Sequence, residues 1–133
     1  MADLVPMSEA TALALHAMAL IAKADGPLSA GAIAQAFQAS EAHVAKVLQT
    51  LARAGFLISK RGPDGGYTLA RPKSQIRLLD IYETFEGKSR QDRCLFEQPV
   101  CGSPDCIFNG LVAHMRHEFF EYLRARTLAD LEF

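Results

Sequence analysis

Hydrophobic positions along this chain follow two rhythms, and the change from one to the other outlines the fold. Over residues 7–24, Leu13, Leu15, Met18, Leu20 and Ile21 stand among alanines with few polar neighbours, which predicts a helix buried on several sides. Asp25-Gly26-Pro27 ends it, because Gly suits the position just past a helix and Pro cannot continue one. Ser29 is a fitting cap for a short helix over 30–37 that turns Ile33, Ala34 and Phe37 inward. After a turn at Gln38-Ala39, Ser40 caps a third helix over 41–54, with Val44, Val47, Leu48 and Leu51 at helical spacing. The opposite face of that helix carries His43, Lys46, Gln49, Thr50 and Arg53. Two short helices joined by so brief a turn have helix-turn-helix spacing.

The rhythm then shortens. Residues 56–61 and 67–70 are strand-like runs around Gly62-Pro-Asp-Gly-Gly66, which predicts a β-hairpin. A hairpin directly after a helix-turn-helix is a wing. A fourth helix is predicted over 76–86, burying Leu78, Leu79, Ile81, Tyr82 and Phe85 and closed by Gly87. A long amphipathic helix over 107–126 repeats Phe108, Leu111, Val112, Met115, Phe119, Tyr122 and Leu123. That stripe is wider than so small a domain uses internally, so a homodimer through it is expected. The fold class is mainly α with a small β-hairpin wing. A winged helix-turn-helix occupies 1–75. A helix, a cysteine loop and a long C-terminal dimerisation helix occupy 76–133.

Charge sharpens this picture. The net charge of −1 conceals a basic island at 40–77, where seven Lys and Arg face two acidic residues, a local balance of +5. Such an island is what an anion-binding face needs, although an ordinary solvated surface has the same composition; on this scaffold the expected anion is double-stranded DNA. The third helix would enter the major groove, with Ser40 and Lys46 on phosphates and Glu41 or His43 reading a base edge. Lys60 and Arg61, at the base of the wing, are placed for phosphates or a minor groove. The apolar run 10–22 has no basic region before it and no cleavage site after it, so a signal peptide is not expected. No apolar run reaches membrane-spanning length, and a cytoplasmic location is expected.

The candidate chemistry lies in Cys94-Leu-Phe-Glu-Gln-Pro-Val-Cys101-Gly-Ser-Pro-Asp-Cys106, which holds every cysteine of the chain. An odd, clustered set fits a metal or redox role better than a disulfide framework. Three thiolates on one loop can meet three corners of an iron–sulfur cluster, or serve zinc if a fourth ligand closes the set. Oxidation without metal is a third option, with a Cys94–Cys106 disulfide as its product. Asp105 is an alternative oxygen ligand. His114 and His117, one turn apart on the last helix, are expected at the surface or a dimer interface, and His16 in the core or an interface. No Cys-x-x-Cys and no flanking histidine equips a thiol for catalysis, so an enzyme is not expected. A zinc-stabilised interaction module is the competing reading, although it would need neither the wing nor the basic island.

From the wing onward the chain resembles the Rrf-two (Rrf2) family of winged-helix transcription regulators. The residues that carry the likeness are Arg61-Gly-Pro-Asp-Gly-Gly-Tyr67-Thr-Leu-Ala-Arg-Pro72, then Ile76-x-Leu78-x-Asp80-Ile81, Glu86-Gly87, the three-cysteine loop and Thr127-Leu-Ala-Asp-Leu131. The resemblance implies a homodimer with swapped or closely packed C-terminal helices, bound to an imperfect palindrome. It also implies an iron–sulfur cluster, 4Fe–4S or 2Fe–2S, on Cys94, Cys101 and Cys106. Members commonly space these cysteines evenly, whereas here six residues precede Cys101 and four follow it. The histidine ligand of one branch is replaced by Asn109. In the nitric-oxide-sensing branch the fourth ligand is acidic and lies near the start of the first helix, which implies Glu9, supplied across the dimer.

Overall fold

The computed structural model describes residues 3–89, 93–101 and 106–131; Asp105 lies outside them. Among these residues the helices are α1 (Glu9–Lys23), α2 (Ala30–Phe37), α3 (Glu41–Arg53), α4 (Leu78–Glu86) and α5 (Leu111–Ala125). The strands are β1 (Leu57–Lys60) and β2 (Gly66–Leu69).

Local chemistry sets the boundaries. The side chains of Ser8, Ser29 and Ser40 accept from Thr11, Ala32 and His43 N–H groups, which caps the first three helices. The first helix therefore begins at Glu9, two residues later than its apolar pattern suggests. Gln38 enters the left-handed region (φ 53°), and its N–H returns to the Ala34 and Gln35 carbonyls. This is what makes the turn between α2 and α3 so short. The fourth helix starts at Leu78 because Arg77 caps it, with Asp80 accepting from the Arg77 N–H at 3.1 Å.

In the hairpin Leu57 pairs with Leu69 and Lys60 with Gly66. Leu28 adds a third edge: its N–H donates to the Tyr67 carbonyl at 3.2 Å, and the Tyr67 N–H returns to Leu28 at 2.8 Å. The wing is thereby tied to the segment between α1 and α2.

One hydrophobic cluster runs through the molecule, from Ala14, Met18 and Ile21 of α1 through Ile33, Val44, Leu48 and Leu51 to Ile81, Tyr82, Phe120 and Leu123. The C-terminal segment returns to it. Leu78 N–H donates to Arg126, Leu128 N–H donates to Ile76, both at 3.0 Å, and Leu128 is buried. Thr127 and Asp130 bracket that turn with a capping box.

Two further expectations need correction. The last helix begins at Leu111, not at residue 107, because Asn109 (φ 46°) and Gly110 (φ 84°) both adopt left-handed backbone. Its buried face is Val112, Arg116, Phe120 and Leu123, while Phe108, Leu111, Met115 and Tyr122 are exposed. Tyr82, Phe119 and Phe120 meet edge to face, with centroids 5.2–5.7 Å apart, which explains why Phe120 turns inward. His16 is not in the core. It is exposed, with Nδ1 2.6 Å from the Ala12 carbonyl and its ring edge-on to Phe37.

Candidate functional site

Burial of Val44, Val47, Leu48 and Leu51 fixes the roll of α3, and with it the face that is left outside. Glu41 and Lys46 are exposed on that face and His43 is half-buried. The Ser40 hydroxyl accepts from His43 N–H at 3.4 Å, so its cap role is already engaged. The Glu41 carboxylate lies beside Gly31 of α2, 3.4 Å from where a Cβ would stand. Thr50 donates to the Lys46 carbonyl at 3.1 Å, and Arg53 donates to Thr50 at 3.4 Å, drawing that arginine along the helix.

In the wing, Lys60 and Arg61 are both exposed. The turn that presents them depends on glycine. A Cβ on Gly65 would lie 2.2 Å from the Lys60 carbonyl oxygen, and one on Gly66 (φ 151°) would lie 2.5 Å from the Leu28 carbonyl. Arg71 stacks on Phe56 with its guanidinium carbon 4.6 Å from the ring centroid, which secures the end of the hairpin.

The cysteine segment lies between α4 and α5. Cys94, Cys101 and Cys106 all border one pocket of about 300 Å³, whose other walls include Leu95, Phe96, Ile107, Phe108 and Val112. All three are free thiols, Cys101 exposed and the other two half-buried. Phe96 N–H donates to the Cys94 sulfur at 3.4 Å. Among the described residues no three His, Cys, Asp or Glu side chains converge at metal-binding distance, so the thiols share a pocket without meeting at one point. Glu9 is absent from this pocket. It lies at the exposed start of α1, in a shallow groove with Ala12, Leu13, His16 and Phe37. His114 and His117 are both exposed on α5.

A residue that sequence reasoning passed over joins this loop to the rest of the molecule. Arg116 is 3% exposed. It donates through Nε to the Leu4 carbonyl at 2.7 Å and through its terminal nitrogens to Asp3 and Cys94, each at 2.8 Å. Its place became visible only with the fold, which buries the 112–116–120–123 stripe of α5 and the one arginine on it. Nearby, Tyr82 donates its hydroxyl to the Pro6 carbonyl. Burial, with the Glu86 charge beside it, pushes the Tyr82 hydroxyl up to about 12. Glu86 accepts from the Thr11 hydroxyl and from Ser8 N–H, at 2.5 and 2.8 Å. Those two donors hold its carboxyl below the usual range.

Comparison with known proteins places these parts in one framework. Residues 7–132 match the model of the Rrf2 family, described as an iron-dependent transcriptional regulator. Protein aau3 of Rhizobium meliloti (strain 1021) is 36% identical over 102 residues, covering 74% of this chain and 66% of that protein. The chain thus spans just under two thirds of that relative's length. CymR (YrzC), the global cysteine regulator of B. subtilis, superposes with a TM-score of 0.73 at 29% identity, over 95% of both chains. IscR of T. potens gives a TM-score of 0.68 at 25% identity, over 95% of this chain and 85% of that one. With a family match over nearly its whole length and the winged helix-turn-helix on which that family is built, the chain belongs to the Rrf2 family of transcriptional regulators.

Proposed function

We propose that this chain is a dimeric, sequence-specific DNA-binding regulator whose affinity is set by an iron–sulfur cluster on Cys94, Cys101 and Cys106. Glu9 of the partner subunit is the fourth ligand in this reading. The observation that carries it is the single pocket of about 300 Å³ bordered by all three thiols. The donor set fits the group, because thiolates are the usual cluster ligands and the remaining walls named above are mostly apolar. A bound cluster would supply redox- and ligand-sensitive Fe–S bonds. The chain's own residues would do the rest: the loop holds the three thiolates, and α5 holds the loop through Arg116 and Cys94. DNA contact is assigned to Ser40, Glu41, His43 and Lys46 of the α3 N-terminus and to Lys60 and Arg61 of the wing. The exposed row Leu111, Met115 and Tyr122 is assigned to the second copy.

Anaerobic purification with iron and sulfide analysis tests the cluster, and fluorescence anisotropy on promoter duplexes tests DNA binding. Iron and sulfide lost together in Cys106→Ala are expected. Colourless protein, iron-free even after anaerobic reconstitution, would remove the cluster and leave DNA binding intact. In that outcome the three free thiols support a second reading, a metal-free regulator that closes a Cys94–Cys106 disulfide on oxidation. A mass shift and a non-reducing gel distinguish it.

A further inference from the structure

A guanidinium is costly to bury unless its N–H groups are satisfied. Arg116 is buried on the inner face of α5, at a position where the neighbouring turns place Val112 and Phe120. It is kept there by carbonyls from two segments remote from each other in sequence. Leu4 and Asp3 belong to the strap that leads into α1, and Cys94 opens the cysteine loop. One rigid, planar set of donors is therefore shared between loop and strap. The strap is tied at two further points, Pro6 to the Tyr82 hydroxyl and Ser8 to Glu86. Past Ser8 it becomes α1, whose Ala14, Met18 and Ile21 share a core with Val44 and Leu48 of α3.

The strap also has room to move. A cavity of about 610 Å³ is bordered by Asp3 and Pro6 of the strap, Tyr82, Glu97 of the loop and Arg116. Close-packed interiors allow few alternative arrangements; a space bordered by strap and loop together leaves room for one. We infer that Arg116 is the coupling residue of this regulator: it transmits a change in the cysteine loop, through the strap, to α1 and α3. The inference rests on the loop being the regulated element.

The mechanism is geometric. The fork of Arg116 spans three carbonyls at 2.7–2.8 Å. Drawing the three thiols together displaces the Cys94 carbonyl. The guanidinium then keeps either its loop bond or its strap bonds in good alignment, and the strap shifts toward or away from the cavity. Lysine keeps the charge but has no planar fork, so Arg116→Lys separates coupling from charge.

The test compares full-length protein, reduced and metal-free, with the same protein reconstituted anaerobically with ferrous iron and sulfide. Two readouts are taken: affinity for one duplex by anisotropy, and hydrogen exchange over residues 3–12. In the wild type, reconstitution should change affinity by about fivefold or more, within the usual coupling range, and change exchange in the strap. In Arg116→Lys, iron uptake should persist while strap exchange no longer responds and the affinity ratio falls to within about twofold of unity. A wild-type ratio retained in Arg116→Lys overturns the inference. So does a wild-type affinity change with no response in residues 3–12. If wild-type affinity ignores reconstitution altogether, the regulatory reading of the loop fails first, and the coupling role falls with it. Should Arg116→Lys not fold, Tyr82→Phe, which removes the middle tie alone, decides by the same two readouts: an undiminished ratio rejects the path.

Discussion

The wing offers a prediction whose size can be worked from the structure. Gly66→Ala places a methyl 2.5 Å from both the carbonyl carbon and oxygen of Leu28, and 2.9 Å from its nitrogen. These are backbone atoms, so no side chain can swing aside. The hairpin must move off Leu28, which breaks the Tyr67 to Leu28 and Leu28 to Tyr67 hydrogen bonds at 2.8 and 3.2 Å. Two net backbone hydrogen bonds are worth about 2 kcal/mol together. Holding alanine in a sparsely populated backbone region adds about 1 kcal/mol or more. The expected loss is about 3 kcal/mol, a large share of a small domain's stability of roughly 5–15 kcal/mol. Urea unfolding should show a lower midpoint at unchanged slope. Gly26→Ala is the control. A Cβ there meets nothing within 4 Å, and the change should stay within about 0.5 kcal/mol or stabilise slightly. Gly66→Ala within about 0.5 kcal/mol of wild type, with the Leu28 amide still protected, would refute the reasoning.

Further outcomes follow from the same structure. Arg61→Ala should weaken binding across DNA sequences alike and reduce the slope of log affinity against log salt by about 1, measured by anisotropy at several salt concentrations. Met115→Asp puts a charge in the exposed apolar row of α5 and should shift the protein to monomer by light scattering, without lowering its melting temperature at fixed monomer state. Glu86→Gln probes the α1–α4 latch. The folded-state carboxyl titrates below its ordinary 4.5, held down first by Thr11 and then by Ser8. Its stabilisation is therefore complete above about pH 4.5 and lost as pH falls through the lowered value. Glu86→Gln should cost about 1 kcal/mol at pH 7 and flatten the acid side of the stability profile. An unchanged acid limb would show that the latch contributes nothing.

What the sequence determined is what depends on neighbours along the chain. The Ser29 and Ser40 caps, the Gln38 turn, helical spacing in α3 and the Gly-Gly turn act over a few residues, so each was legible before any packing was known. Charge segregation at 40–77 and three thiols within one loop were legible for the same reason. The tertiary structure decided which of two apolar stripes on α5 goes inward. Both have helical spacing, and only the partner surface, Tyr82 of α4, selects Phe120 over Met115. It also decided the place of Arg116. An arginine in an amphipathic helix reads as solvent-facing until carbonyls from residues 3, 4 and 94 are folded onto it. Desolvation and long-range hydrogen bonding are properties of the assembled fold, and no local pattern encodes them.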